Sequence, residues 1–179
     1  MPWLIILLVL GMIVSTVVGT FEAVVAQLTL IMAFQSLILD MAGNVGTQSL
    51  AVTIRVLTDE TLAFKQKIRL ISKETRLGFL NGAILGTISF LLVGLYIFFF
   101  KERDLIFSFS VSGFIGISLM LAMLISSAVG TIIPMLFKKI GVDPAVASGP
   151  LITTVNDLVA VVTYYGLNWL FFLNILHIS

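Results

Sequence analysis

The segment ASGPLITTVNDLVAVVTYYG, residues 147–166, combines two features that rarely occur together. It is mostly apolar over the ~20 residues that a helix needs to cross a bilayer. It also carries a carboxylate, Asp157, near its middle. Since a charge at the bilayer centre costs roughly 2.5–3.5 kcal/mol on insertion scales, this side chain is expected to face a cavity or a partner.

The whole chain has the composition of an integral membrane protein. Hydrophobic residues make up 59% of its 179 residues and charged residues 11%, against about 45–50% and 25% in soluble domains. There is no cysteine and a single histidine, His177, so disulfides, thiolate metal sites and His clusters are excluded. No Walker motif, catalytic triad or HExxH motif occurs, and we expect neither an enzyme nor a nucleic-acid partner.

Five apolar segments predict an all-α membrane protein with one domain, residues 1–179. The helices are predicted at about residues 3–18, 26–56, 77–100, 106–137 and 145–173. Their lengths favour helices over barrel strands, which need only ~10 residues. The first segment lacks a basic start and a cleavage site, so it is interpreted as a retained helix. Residues 58–76 are predicted to form either a short amphipathic surface helix or a solvated loop.

The basic residues predict the topology. Eight of the ten Lys and Arg residues lie at or after the end of the second segment, in residues 55–76, or directly after the fourth, at residues 138 and 139. By the positive-inside rule, the N-terminus is therefore expected in the cytoplasm and the C-terminus outside.

Local signals predict two irregular helices. Gly43, Asn44 and Gly46 in the run MAGNVGTQ, residues 41–48, weaken the second helix and predict an unwound or kinked turn. Pro150 is expected to bend the fifth helix and to free a backbone carbonyl.

The start of the fifth helix is predicted at Asp143 and Pro144. Aspartate is a favoured N-cap, and proline is favoured at the first helical position.

Helical spacing places a row of side chains on the Asp157 side of the fifth helix. The row contains Gly149, Thr153, Ala160 and Tyr164. Because the bases lie at the ends of the spans and none is expected near the depth of Asp157, this side chain is expected to bind a cation or a proton. The alternative is a protonated Asp157 that hydrogen-bonds a neighbouring helix.

The second helix offers further polar groups, for which pore lining and helix packing are both open. They are Asp40, Gly43, Asn44, Gly46 and Gln48. Small residues in the third and fourth helices predict packing faces instead. These are Asn81, Gly82, Gly86, Gly113, Gly116, Ser126, Ser127, Ala128 and Gly130.

All candidate ligands are oxygen donors, which suit Mg²⁺ or Ca²⁺ and not zinc or copper. One carboxylate per chain supplies little negative charge for binding a divalent ion. A two-fold homodimer that places two copies of Asp157 across its axis would supply two.

The motifs GNVGTQSLAVTIR (residues 43–55) and DPAVASGPLITTVND (residues 143–157) resemble the MgtE family of magnesium channels. The stretch PWLIILLVLGMIVSTVVGTFE, residues 2–22, resembles the first helix of that family. The resemblance implies a homodimer of five-helix protomers in the bacterial inner membrane, with a pore formed mainly by the second and fifth helices. It implies that Asp157 selects Mg²⁺. The adjacent pore positions would be Gly149, Thr153, Asn156, Ala160, Gly43 and Asn44.

The chain differs from the family pattern in two ways. The chain begins at the membrane domain, so the cytoplasmic N-terminal and CBS regulatory domains of the family are expected to be missing from it. Ala42 stands where the family often has another glycine, which is expected to stiffen the second helix.

The expected function is passive Mg²⁺ influx through a membrane pore. The alternative is an ion-coupled carrier that exchanges Mg²⁺ with Na⁺ or couples divalent cations to protons. A third class is a membrane assembly or sensor that transports nothing.

Overall fold

The computed structural model describes residues 2–21, 29–59 and 62–175. Within these residues the chain forms five α-helices and no strand, as predicted. They are α1 (Pro2–Thr20), α2 (Thr29–Asp59), α3 (Phe64–Phe100), α4 (Leu105–Lys139) and α5 (Pro144–Ile175).

Two of the described helices, α3 and α4, are long and apolar enough to cross a membrane, and α1 has a shorter apolar stretch, Leu4–Thr20. The outer face of α3 exposes large apolar side chains such as Leu80, Ile84 and Leu92. A row of exposed aliphatic side chains suits contact with lipid, because it has no polar group to satisfy.

The helix α3 begins at Phe64, thirteen residues before the predicted start of the third segment at residue 77. Residues 64–76 are therefore neither a separate surface helix nor a loop. They contain no Pro or Gly, and most are good helix formers, so nothing interrupts the helix. The side chain of Gln66 caps the start by accepting a 2.7 Å hydrogen bond from the backbone N–H of Ala63.

The unwound turn expected in residues 41–48 is absent, since α2 is continuous from Thr29 to Asp59. Its glycines permit close contact instead. A Cβ on Gly46 would collide with the side chain of Asn156, and a Cβ on Gly130 would collide with the carbonyl oxygen of Gly46. Helix–helix contact therefore outweighs the low helix propensity of glycine here.

The predicted start of α5 is confirmed. The helix begins at Pro144, and the carboxylate of Asp143 accepts a 2.9 Å hydrogen bond from the N–H of Ala145. The side chains of Val146 and Pro150 lie outside the described part, so the predicted bend stays a prediction.

The helices α3 and α4 pack along a glycine seam, which confirms the packing face predicted for Gly82, Gly86 and Gly116. A Cβ on Gly86 would lie 2.6 Å from the carbonyl oxygen of Gly116. A Cβ on Gly82 would lie 2.9 Å from the Cα of Met120. The prediction for Asn81 is wrong, because its side chain is exposed.

We predict that Gly86→Ala destabilises the protein by about 1–3 kcal/mol, since the new methyl group meets backbone atoms that cannot move alone. Thermal unfolding in detergent measures the effect. Gly113→Ala is the matched control, because its Cβ would lie 3.7 Å from the Phe90 ring, an ordinary contact. Equal unfolding midpoints for the two variants would contradict the seam.

Candidate functional site

The helices α2 and α5 run antiparallel, and two contacts and one shared pocket define their register. At one end the Tyr165 hydroxyl donates a 2.7 Å hydrogen bond to the Gln35 side chain. In the middle Gly46 meets Asn156. At the other end, Leu57 and Asp143 line one pocket of about 380 Å³.

This register places Asn44 and Asp157 at one depth. Asn44 is two residues from Gly46, and Asp157 is one residue from Asn156 in the same direction along the bundle. At 1.5 Å per residue, their depths differ by only about 2 Å. The structure gives no direct contact between these two side chains.

The carboxylate of Asp157 is half-buried and uncompensated. In the part of the chain that the structure describes, it has no ion-pair or hydrogen-bond partner. The same residues contain no group of three or more His, Cys, Asp or Glu side chains that would form a complete metal site. One protomer therefore supplies a single charged ligand at this depth.

The row predicted along α5 divides into an open and a closed half. Thr153 is exposed, and its hydroxyl donates a 3.2 Å hydrogen bond to the carbonyl of Gly149, which is half-buried. Ala160 and Tyr164 are fully buried in the protein core. Only Gly149, Thr153 and Asp157 therefore have access to the protomer surface.

Asn156 lies in the contact between α5 and α2. Its side chain is 0% exposed, and neither its oxygen nor its nitrogen has a hydrogen-bond partner. An amide without partners in an apolar environment costs free energy. The Asn156 side chain contacts Gly46 of α2 and is closed off from the protomer surface, although Thr153, one turn earlier, is exposed.

The polar groups of α2 lie on the side that the other helices leave uncovered. Asp40, Asn44 and Thr47 fall within an arc of about 60°, at 100° per residue. All three are exposed, as is Gln48, whereas Gly43 is half-buried and Gly46 is buried. Gly46 therefore packs against a neighbouring helix, whereas Asp40, Asn44 and Gln48 are left exposed on the protomer.

The sequence reasoning missed two features next to this site. A buried hydroxyl pair joins α2 to α4 and α3: the Ser127 hydroxyl donates to the carbonyl of Glu74 at 2.6 Å, so Ser49 donates to Ser127 at 2.8 Å. In addition, Asn81 opens into a groove beside Asn44. The sequence signal for Asn81 was an amide side chain within an otherwise apolar span.

Long apolar helices with a polar, uncovered side are typical of an α-helical protein that works in a membrane. A family model described as a divalent cation transporter, MgtE, matches residues 35–167. The chain belongs to the MgtE family.

Three relatives carry the name magnesium transporter MgtE. The chain is 38% identical to the Enterococcus faecalis protein over 171 residues, 96% of this chain and 36% of that protein. It is 38% identical to the Bacillus subtilis protein over 168 residues, 93% of this chain and 35% of that one. It is 33% identical to the Thermus thermophilus protein over 162 residues, 90% of this chain and 34% of that one. The chain thus spans about a third of the length of these relatives.

We predict that Asn156→Leu leaves the thermal unfolding midpoint unchanged or raises it. Leucine has the same branching as asparagine, and the change removes two unsatisfied polar atoms, worth about 1–3 kcal/mol each. The measurement is thermal unfolding in detergent.

The matched control is Asn168→Leu, because the Asn168 amide donates a 2.6 Å hydrogen bond to the carbonyl of Tyr164. This control is expected to destabilise by about 0.5–1.5 kcal/mol. A larger loss for Asn156→Leu than for the control would mean that the Asn156 amide has a partner, such as a bound ion.

Proposed function

We propose that the chain conducts Mg²⁺ passively through a pore on the two-fold axis of a homodimer, with Asp157 as the selectivity carboxylate. The single observation that carries the proposal is an uncompensated carboxylate at the depth of the uncovered amide of Asn44. The shared name of the three relatives, magnesium transporter, supports the choice of ion.

The chemistry of the uncovered side chains supports a hydrated ion. Mg²⁺ gives up its waters reluctantly and is usually held by one or two carboxylates. Asp157 supplies the charge, and the oxygens of Thr153 and Asn44 are suited to hold water molecules of the ion. Neutral oxygens bind those waters weakly, which lets the ion leave again.

The exposed polar side chains support a dimer. Asp40, Asn44 and Asp157 cannot face hydrocarbon without a large free-energy cost. A second copy that covers these sides of α2 and α5 would enclose them around water. It would also bring a second Asp157 to the ion, so that two carboxylates balance its double charge.

The membrane arrangement completes the proposal. All five helices cross the bacterial inner membrane and contact its lipid, with the basic residues before Gly78 and after Met135 in the cytoplasm. An inside-negative potential then drives each Mg²⁺ inward with about 4.6 kcal/mol per 100 mV, twice the single-charge value. No covalent bond changes, so the activity is transport and not catalysis.

We predict that Asp157→Asn reduces Mg²⁺ influx into proteoliposomes by more than tenfold, because the amide removes the negative charge that attracts the hydrated ion. A dye trapped inside the vesicles measures influx under an imposed inside-negative potential. The control is Asp104→Asn, which affects a carboxylate that caps α4 by accepting a 3.0 Å hydrogen bond from the N–H of Ile106.

Undiminished influx through Asp157→Asn would reject the assignment of the selectivity residue. Influx that requires a Na⁺ or proton gradient would replace the channel with a coupled carrier. Absence of influx in the unmodified protein would leave a membrane module that transports nothing.

We predict that the purified protein has the mass of two chains in detergent, because the polar sides of α2 and α5 are otherwise left uncovered. Light scattering with separate detection of protein and detergent measures this mass. A monomer that conducts Mg²⁺ would contradict a pore on a dimer axis.

A further inference from the structure

A groove on the outside of α2 opens between α2, α3 and α4, with a volume of about 550 Å³. Three amide side chains line it: Asn44 and Gln48 from α2, and Asn81 from α3. Its floor is apolar and includes Met123 of α4. The groove lies on a different side of α2 from the contact with Asn156.

None of the three amides has a hydrogen-bond partner within the described residues, and all three are exposed. An amide that faces hydrocarbon without a hydrogen bond is costly. Three of them in one groove therefore indicate that water fills it. A hydrated Mg²⁺ has a radius of about 3.5 Å, hence a volume of about 180 Å³, and fits with room for further water.

The groove lies at the depth of the carboxylate. The Ser127 hydroxyl, which bonds Ser49 and the carbonyl of Glu74, places these two residues at one level. Asn44 is five residues from Ser49, and Asn81 is seven residues from Glu74 in the same direction along the bundle. Their depths thus differ by about 3 Å.

We infer that Asn81, together with Asn44 and Gln48, forms a second contact site for the hydrated divalent cation at about the depth of Asp157, on the α3 side of α2. The inference rests on the proposed function. Amide oxygens accept hydrogen bonds from the bound waters and do not replace them. The site therefore favours an ion that keeps its water shell, such as Mg²⁺, over Ca²⁺, whose ligand shell is more flexible.

The test measures initial Mg²⁺ influx against Mg²⁺ concentration in proteoliposomes. Asn81→Leu is expected to lower influx at limiting Mg²⁺ by about threefold to tenfold, the worth of one hydrogen bond. It is also expected to narrow the preference for Mg²⁺ over Ca²⁺. Asn81→Asp, which keeps the size and adds a charge, is expected to lower the Mg²⁺ concentration at half-maximal rate.

The matched control is Thr87→Val on the same helix, because the exposed Thr87 hydroxyl only donates to the carbonyl of Ala83 within α3. It is expected to leave influx and ion preference unchanged. Opposite effects of Asn81→Leu and Asn81→Asp cannot arise from a merely structural role, and Asn81→Asp remains informative if Asn81→Leu does not insert.

Two outcomes separate this inference from the proposed function. If Asn81→Leu and Asn81→Asp both match the unmodified protein while Asp157→Asn abolishes influx, the second site is rejected and the channel stands. If Asp157→Asn also leaves influx unchanged, the proposed function fails and this inference fails with it.

Discussion

The close contact of α2 with both α4 and α5 is the constraint on which the rest of the structure depends. At Gly46, α2 presents backbone to Asn156 of α5, and its carbonyl oxygen lies against Gly130 of α4. Neither contact leaves room for a side chain. Because the backbone of α2 lies directly against the Asn156 side chain of α5 and the backbone of α4, the relative depths of the three helices are fixed, and so are the depths of the polar groups that they carry. The uncovered amide of Asn44 and the carboxylate of Asp157 share a level for this reason.

Polar groups in the bundle fall into two kinds. Hydroxyls such as those of Thr53 and Thr131 are buried, and each donates to a carbonyl one turn earlier in its own helix. They cost little in an apolar environment, because their hydrogen bonds are already made. The amides of Asn44, Gln48 and Asn81 and the carboxylate of Asp157 lack this local option in the structure. Their need for water or an ion is what distinguishes a candidate path from ordinary packing.

Most of the fold was predictable from the sequence, because apolar length alone identifies long helices. The cap at Asp143 was also predictable, because it needs only the side chain of one residue and the N–H of another two residues along the chain. The starting point of α3 was not, because the basic residues after Phe64 are equally compatible with a loop. The sequence also did not show which residues of the run 41–48 pack against other helices and which are exposed. Which glycine touches a neighbour and which amide faces outward depend on the contacts of α2 with other helices.

The position of the bilayer edge follows from α3 and changes the view of Asp157. At 37 residues this helix is about 55 Å long, far more than the ~30 Å of hydrocarbon. One side of α3 exposes four basic side chains, Lys65, Arg69, Lys73 and Arg76. The hydrocarbon layer therefore ends near Arg76 and does not surround the N-terminal part of the helix.

The Ser127 bridge between Ser49 and Glu74 places Arg76 at the level of Thr47 on α2, only about 5 Å from the level of Asn44. Asp157 is thus close to the basic edge of the membrane, although it stands in the middle of its own apolar segment. A carboxylate near the edge costs less to keep charged than one at the centre, since water is near. Beyond it, toward the opposite side, the buried Tyr164 and Tyr165 close the interior of the protomer. Under the proposed function, an ion that reaches Asp157 from that side passes along the uncovered faces of the helices, where a second copy of the chain would enclose it.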